Sequence, residues 1–523
     1  MLFFAAAILY SSVNVLGVTG PVAVPPRVDV VSVSATQQSS ESVRSHDDAA
    51  SSVDVTAGAD VATAADATTA ADVSTHSAAV EGLPISSFAT LRSCGADSDG
   101  RAPASLPADL DAPACLSALA GASSLTLGEF GESLDVDSGA DLTLAQELGA
   151  GADEATAVRA WWSTVPTAQR TVLLSAVPSI IGNLEGVPYS QRNLANRITL
   201  SRTIDDLEQN PGGTVVGAPT QGQRLAMLQQ VQQSLIPGYD GNDTARSLVS
   251  LDTVYPGRAA VAIGDLDTAK NVSLMVPGMM YTVSTQMVSF TNAAAAVQSS
   301  ETFWSNTLAT TTSAPESSAV VSWMGYRTPV MTNVLGLSLA EAGAVHLENA
   351  VEGLDAVRLE DEPRTTIIGH SYGSTTATIA LSSGTIHVDD FVALGSPGSV
   401  VADAGDLAVT AGHVFAGAAA LDPVAGSGVF GADPGSVVFG SKLLNLGSAV
   451  DPYTSQKLTA VVTHNEYFTT GSHAMRSLAL IGIGRGDLAD GRDPVPDGPQ
   501  LVNGPSLEYV RPQDVSRESV HSA

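Results

Sequence analysis

The sequence predicts an α/β fold in which a mostly parallel sheet is covered by helices. Two observations point there. From about residue 241, short apolar runs alternate with segments of helical periodicity, and each run is closed by Gly, Pro, Asn or Asp. Several runs are apolar throughout, as strands buried on both faces must be. In order, SLVSLDTV and RAAVAIGDL read as early neighbouring strands, and VSLMVPG from Val272 as a buried strand closed by a tight turn. AVVSWMGY, ending at Tyr326, is the next strand, and LSLAEAGAVHLENAVEGLDAVRL is a helix leading into TTIIG at 365–369. HVDDFVALGSPG, HVFAGAAALDPV and LTAVVTHNEYF complete the strand series of a core assigned to 241–485, with 486–523 as a tail.

Residues 151–240 read as a helical accessory or cap-like region. DEATAVRAWWSTV is one helix, and PTAQRTVLLSAVP restarts another, with Thr164 as its cap and Pro166 in its first turn. Trp161 and Trp162 are expected as packing anchors. Arg192, Asn196 and Arg197 are expected to tie the following turn to nearby carbonyls or carboxylates. Residues 81–150 form a small accessory segment holding Cys94 and Cys115, a pair that closes a modest loop if oxidised. Residues 21–80 are a Ser/Ala/Asp/Thr-rich arm with few side chains able to offset the entropy of ordering the backbone. Residues 1–20 carry the apolar run LFFAAAILY, which reads as an export signal or a marginal anchor. A secreted or cell-envelope protein is expected, with a cytoplasmic one as the alternative because no Lys or Arg precedes the run.

Charge excludes whole classes of partner. The 523 residues include 23 basic and 54 acidic side chains, a formal charge of -31 at pH 7. Such a chain repels nucleic-acid phosphates and anionic lipid headgroups, although apolar insertion stays open. Two cysteines do not complete a tetrahedral metal site, and the acidic residues form neither an EF-hand loop nor a zinc-protease helix. VPGMM and GHSYG lack the glycine cradle of a dinucleotide site, so neither metal nor organic cofactor is expected.

The sharpest motif is Gly369-His370-Ser371-Tyr372-Gly373, preceded by an apolar strand and followed by the small-residue helix STTATIALSS. This is G-x-S-x-G in the context that gives it meaning: the glycines let strand and helix pass closely, and Ser371 occupies a strained turn with Oγ presented to substrate. The motif turns the α/β prediction into an α/β-hydrolase fold. A serine hydroxyl needs a base, and in that fold the order along the chain is Ser, acid, His, each at the carboxyl end of a strand. Asp422 ends HVFAGAAALDPV, and His464 lies just beyond the apolar run LTAVVT, read here as a strand. Asp403, Asp406, Asp433 and Asp451 are alternatives for the acid, and His473 for the base. His370 is expected to pack under the nucleophile turn, and His413 to be structural. The backbone N–H groups of Tyr372 and of Met279, with Met280 as the register alternative, are the expected oxyanion donors.

These segments resemble the DUF1023 group of α/β-hydrolase-like proteins, common in actinobacteria. The resemblance rests on residues 160–200, VSLMVPGM at 272–279, SWMGYRTP at 322–329, IIGHSYGSTT at 367–376, DDFVALGSPG at 389–398, DPV at 422–424 and HNEYF at 464–468. It implies Ser371 as nucleophile and His464 as base, with Asp422 as the acid on a less specific motif. The expectation is a serine hydrolase acting on a carboxylic ester through an acyl-enzyme, with a small ester or lipid-like substrate. An acyltransferase using the same nucleophile and a catalytically silent envelope-associated binding protein are the alternatives.

Overall fold

A computed structural model describes residues 90–91, 93–94, 111–134, 139–210, 219–238 and 241–489. The segments assigned above to 1–20 and 21–80, and the tail beyond residue 489, lie outside the described residues.

Among the described residues, the helices that precede the sheet include α1 (Ala112–Gly121), α2 (Ser124–Ser133), α3 (Ala140–Gly149), α4 (Ala152–Thr164), α5 (Thr167–Ala176), α6 (Pro178–Asn183), α7 (Tyr189–Gln209) and α8 (Gln221–Ser234). Cys94 and Cys115 are joined by a disulfide beside Leu91, Leu119, Leu127 and Phe130, all buried in one cluster with Trp162, Leu173 and Ile180. Trp162 is the buried anchor and Trp161 is partly covered, so both indoles pack. The start of α5 differs from expectation. Pro166 itself is the cap residue and makes no side-chain cap bond. Thr164 closes α4, its hydroxyl donating to the Trp161 carbonyl at 2.7 Å.

The strands are β1 (Arg246–Asp252), β2 (Arg258–Ile263), β3 (Asn271–Val276), β4 (Ser318–Met324), β5 (Arg364–His370), β6 (Asp390–Leu394), β7 (Val414–Gly417) and β8 (Lys442–Leu443). They form one sheet in the order β1-β2-β4-β3-β5-β6-β7-β8, with β1, β2 and β4 paired antiparallel and every later pair parallel. Four helices complete the core: α9 (Val283–Leu308), α10 (Ser338–Val357), α11 (Tyr372–Ser382) and α12 (His473–Gly482). The 26-residue α9 lies where no element is assigned from the sequence. Residues from α8, α9 and α12 cover one face of the sheet, and residues from α10 and α11 the other, so β3 is buried along its whole length. Among the described residues no helix is long and apolar enough to cross a membrane.

Polar side chains fasten the helical layer to the sheet edge. Asn196 donates to the carbonyls of Gly182 and Leu248, and Arg197 to that of Arg246. Arg192 pairs with Glu185, and a Cβ at Gly353 of α10 would fall 2.0 Å from a Glu185 oxygen. The buried pair thus needs a glycine on the facing helix.

Candidate active site

The turn between β5 and α11 is strained where the sequence demands it. Ser371 has φ 55° and ψ -130°, a left-handed conformation that costs a non-glycine residue free energy and persists only when its surroundings impose it. Its neighbours supply the constraint. A Cβ on Gly369 would lie 2.6 Å from the Ser374 Cα, and one on Gly373 2.3 Å from the Val276 carbonyl oxygen. Gly278, in the turn after β3, passes so close that a Cβ there would sit 2.6 Å from the Ser371 Cβ.

Asp422 and His464 meet as the chain order requires. The His464 Nδ1 lies 2.9 Å from each Asp422 carboxylate oxygen. Oδ1 also accepts from the amides of Val424 and Ala425, at 2.8 and 3.1 Å. Oδ2 accepts from the Tyr467 hydroxyl at 2.7 Å, and that hydroxyl in turn accepts from the Ala419 amide at 2.8 Å. Burial opposes ionisation of Asp422, but His464 and these donors overcome it and hold the carboxyl at about 2. The carboxylate therefore fixes Nδ1 as the protonated nitrogen and leaves Nε2 to exchange a proton.

Ser371 joins this pair through the end of β6. Its amide donates to the Leu394 carbonyl at 2.9 Å, and the residue after Leu394, Gly395 (φ 56°), runs against the Asp422–His464 pair. A Cβ on Gly395 would fall 2.7 Å from Asp422 Oδ2 and 2.9 Å from His464 Nδ1. His370 makes a second connection, its Nε2 lying 2.9 Å from the His464 carbonyl oxygen with the two rings 4.7 Å apart. Burial, then the neighbouring His464, pushes His370 down to about 3. It is thus neutral with its proton on Nε2, the only tautomer that donates to a carbonyl.

The backbone donors expected from the sequence also separate. The Met280 amide is spent on the Pro329 carbonyl at 2.9 Å, which removes the register alternative. Met279 donates to no backbone acceptor among the described residues. Tyr372 is the first residue of α11, where amides have no intrahelical partner.

Alternative acids and the alternative base lie elsewhere. Asp403 caps a short turn that includes Asp406, Asp433 accepts from the Gly435 amide, and Asp451 pairs with Arg476. His473 contacts the Gly447 carbonyl, and His413 pairs with Asp390. The run before His464 differs from expectation. Only Lys457 and Leu458 are paired as a strand (β10), with Ala449–Val450 (β9), in a separate small sheet. Val461 and Val462 belong to no strand and make single backbone bonds to Leu446 and Leu421, so apolar β-branched residues here mark burial rather than membership of the main sheet. Tyr467, Gly278 and Gly395 carry no assigned role in the sequence analysis, although all three stand inside motifs quoted there.

Of two hollows, one reaches Asp422 and the other stands apart from the site. One, of about 250 Å³, is lined by Ala416, Ala419, Ala420, Leu443 and Asp422. The other, of about 70 Å³, lies between the helical layer and the sheet, is lined by Arg192, Asp252, Arg258 and His346, and includes none of Ser371, Asp422 or His464.

Residues 252–432 match a family described as alpha/beta hydrolase. The chain is also 32% identical over 221 residues to an uncharacterized protein of Mycobacterium bovis, covering 39% of this chain and 80% of that protein. The chain belongs to the alpha/beta hydrolase family. A longer uncharacterized protein of Mycobacterium tuberculosis is 30% identical over 392 residues, covering 65% of this chain. This alpha/beta hydrolase chain spans 56% of that relative's length. Among solved structures, an esterase/lipase from an uncultured bacterium aligns at 10% identity with a TM-score of 0.29, covering 55% of this chain and 98% of that one. A hyperthermophilic esterase from the archaeon Pyrobaculum calidifontis aligns at 11% identity with a TM-score of 0.29, covering 56% and 98%.

Proposed function

We propose that this alpha/beta hydrolase is of the DUF1023 type and cleaves carboxylic esters through an acyl-enzyme on Ser371. The observation that carries the reading is the Asp422–His464 pair held against the strained Ser371 turn by Leu394 and Gly395. In this reading His464 takes the Ser371 proton through Nε2 as Oγ attacks the ester carbonyl. The amides of Tyr372 and Met279 receive the developing oxyanion. The tetrahedral intermediate then expels the alcohol, protonated by His464, and leaves the acyl group on Ser371. Water, deprotonated by the same imidazole, attacks the acyl-enzyme and releases the acid. Asp422 stabilises the imidazolium in both halves and stays ionised throughout.

An alcohol acceptor in place of water would make the same site an acyltransferase. The test is a panel of p-nitrophenyl esters with and without added alcohols, scored for free acid against new ester. The expected result is a burst of p-nitrophenol followed by steady turnover with free acid as the product. New ester formed faster than free acid would assign the acyltransferase instead. No turnover and no burst with any ester would leave the silent-binding alternative. Export from the cytoplasm is part of the proposal, supported by the Cys94–Cys115 disulfide, since such bonds persist in oxidising compartments.

A further inference from the structure

The carboxyl edge of the sheet differs from the rest of this acidic chain. The loops leaving the parallel strands emerge at one edge, where Ser371, Asp422 and His464 meet. Segments 328–338 and 395–402 carry no charged side chain, and 418–441 carries only Asp422 and Asp433, both buried and hydrogen-bonded. On a chain with a formal charge of -31, that is a local neutral zone.

The same loops expose aliphatic side chains: Val429 at 36%, Val400 at 42%, Val330 at 45%, Leu335 at 49% and Leu421 at 54% of their full surface. Each is attached to the site. The Val330–Leu335 loop is bonded to the oxyanion turn by Met280 N–H to the Pro329 carbonyl and by the Thr328 hydroxyl to the Tyr281 carbonyl. It is bonded to the nucleophile helix by the Tyr372 hydroxyl to the Gly336 carbonyl at 2.6 Å. Leu421 immediately precedes Asp422, and Val429 precedes Phe430, whose ring packs on Tyr372 at 5.4 Å and whose amide donates to the Pro397 carbonyl, three residues before Val400.

Aliphatic groups left in water beside a reaction centre mark a surface that is covered during function. We infer that this edge seats on a neutral lipid–water interface, and that the ester substrate is drawn from that interface rather than from solution. The inference rests on the serine-hydrolase reading for its substrate and on the surface alone for its binding. Charge selects the occupant: an uncharged apolar edge on an acidic chain suits a zwitterionic or uncharged lipid surface and is repelled by an anionic one.

The experiment uses the full chain in two arms. In the first, Ser371→Ala protein is floated with phosphatidylcholine or phosphatidylglycerol vesicles, so that binding is read without turnover. Flotation with phosphatidylcholine and less with phosphatidylglycerol is expected. Val330→Ser/Leu335→Ser should weaken it about tenfold, the order expected for two aliphatic groups kept in water. Val345→Ser/Leu359→Ser, a pair exposed elsewhere on the core, should leave it unchanged. In the second arm, active protein is assayed on tributyrin below and above its solubility limit. The ratio of emulsified to dissolved turnover should exceed one, and should fall towards one in the Val330/Leu335 variant. No flotation, preference for phosphatidylglycerol, or equal losses in both variant pairs would overturn the inference. So would sedimentation showing that the edge joins two copies of the chain in place of lipid. Flotation without turnover of any ester would instead sink the hydrolase reading and leave the surface intact.

Discussion

Two histidine–aspartate pairs stand at opposite ends of the same strands. Asp390 opens β6 and His413 precedes β7, with Nδ1 and Oδ1 2.8 Å apart. Asp422 follows the far end of β7 and meets His464 at 2.9 Å. By distance the two are equivalent. Their carboxylates are not: Asp390 also pairs with Arg364 at 2.7 Å, so a permanent cation already balances its charge. Burial raises Asp390 despite that cation. Asp422 is surrounded by hydroxyl and amide donors, has no arginine beside it, and is held at about 2. Its charge is left for the imidazole. Only Asp422 and His464 lie where the strained serine turn arrives, so a His–Asp contact gains its meaning from the strand end at which it stands and from how its carboxylate is solvated.

The sharpest way to break this comparison is to neutralise each acid. Asp422→Asn should lower ester turnover by about 10⁴-fold by allowing the wrong imidazole tautomer, and His464→Ala by about 10³-fold or more. Asp390→Asn should keep kcat/KM near the parental value and appear as a loss of about 1 to 3 kcal/mol in urea unfolding, because it disturbs a buried polar cluster. Comparable kinetic losses from Asp390→Asn and Asp422→Asn would dissolve the distinction.

Tyr467 sharpens it. Removing its hydroxyl leaves Asp422 one donor short and the Ala419 amide unpaired, so Tyr467→Phe should lower kcat by about tenfold, the worth of a hydrogen bond to a charged group. Asp422 lies below its ordinary value of 3.8, so its contribution to stability is complete above 3.8 and is lost as pH falls towards about 2. In Tyr467→Phe the Asp422 value should rise and that window should narrow, seen as a smaller difference in urea midpoint between pH 5 and pH 2.5. A profile identical to that of the parent would show that the hydroxyl does not act on Asp422.

The smallest expected effect lies in the core. Glu301 is fully buried on α9, accepts from the Ser273 hydroxyl at 2.7 Å, and is pushed up by burial to about 8 from an ordinary 4.5. The folded state therefore holds a proton that the unfolded chain releases. Stability should fall as pH rises from 4.5 through 8. Glu301→Gln should flatten that slope, giving a larger gain in Tm at pH 9 than at pH 5. An unchanged slope would place the ionisation elsewhere.

Much of this arrangement is legible in the sequence because it is local. The elbow needs two glycines around one serine, and continuous apolar runs report strands buried on both faces, as in β2 and β6. The roles of Arg192, Asn196 and Arg197 follow from polar groups on the helix that leaves a Gly/Pro turn, which must be satisfied once buried. What escapes the sequence depends on contacts distant along the chain. Gly395 must be a glycine because Asp422 and His464 approach it, and nothing near residue 395 reports that. Tyr467 and His370 look like core aromatics until their partners arrive from 45 and 94 residues away. Helix α9 hides because its Ala, Ser and Thr run lacks a sharp apolar stripe, and tertiary packing rather than periodicity fixes it.

The central claim is that Ser371 is the nucleophile, and peptide mapping after reaction with a fluorophosphonate tests it most directly. The account predicts one stoichiometric adduct, on the peptide containing Gly369 to Gly373. That adduct should be absent from Ser371→Ala protein with an unchanged unfolding transition, and should form far more slowly in His464→Ala. An adduct on any other serine, or one that persists at this peptide in Ser371→Ala, would contradict it.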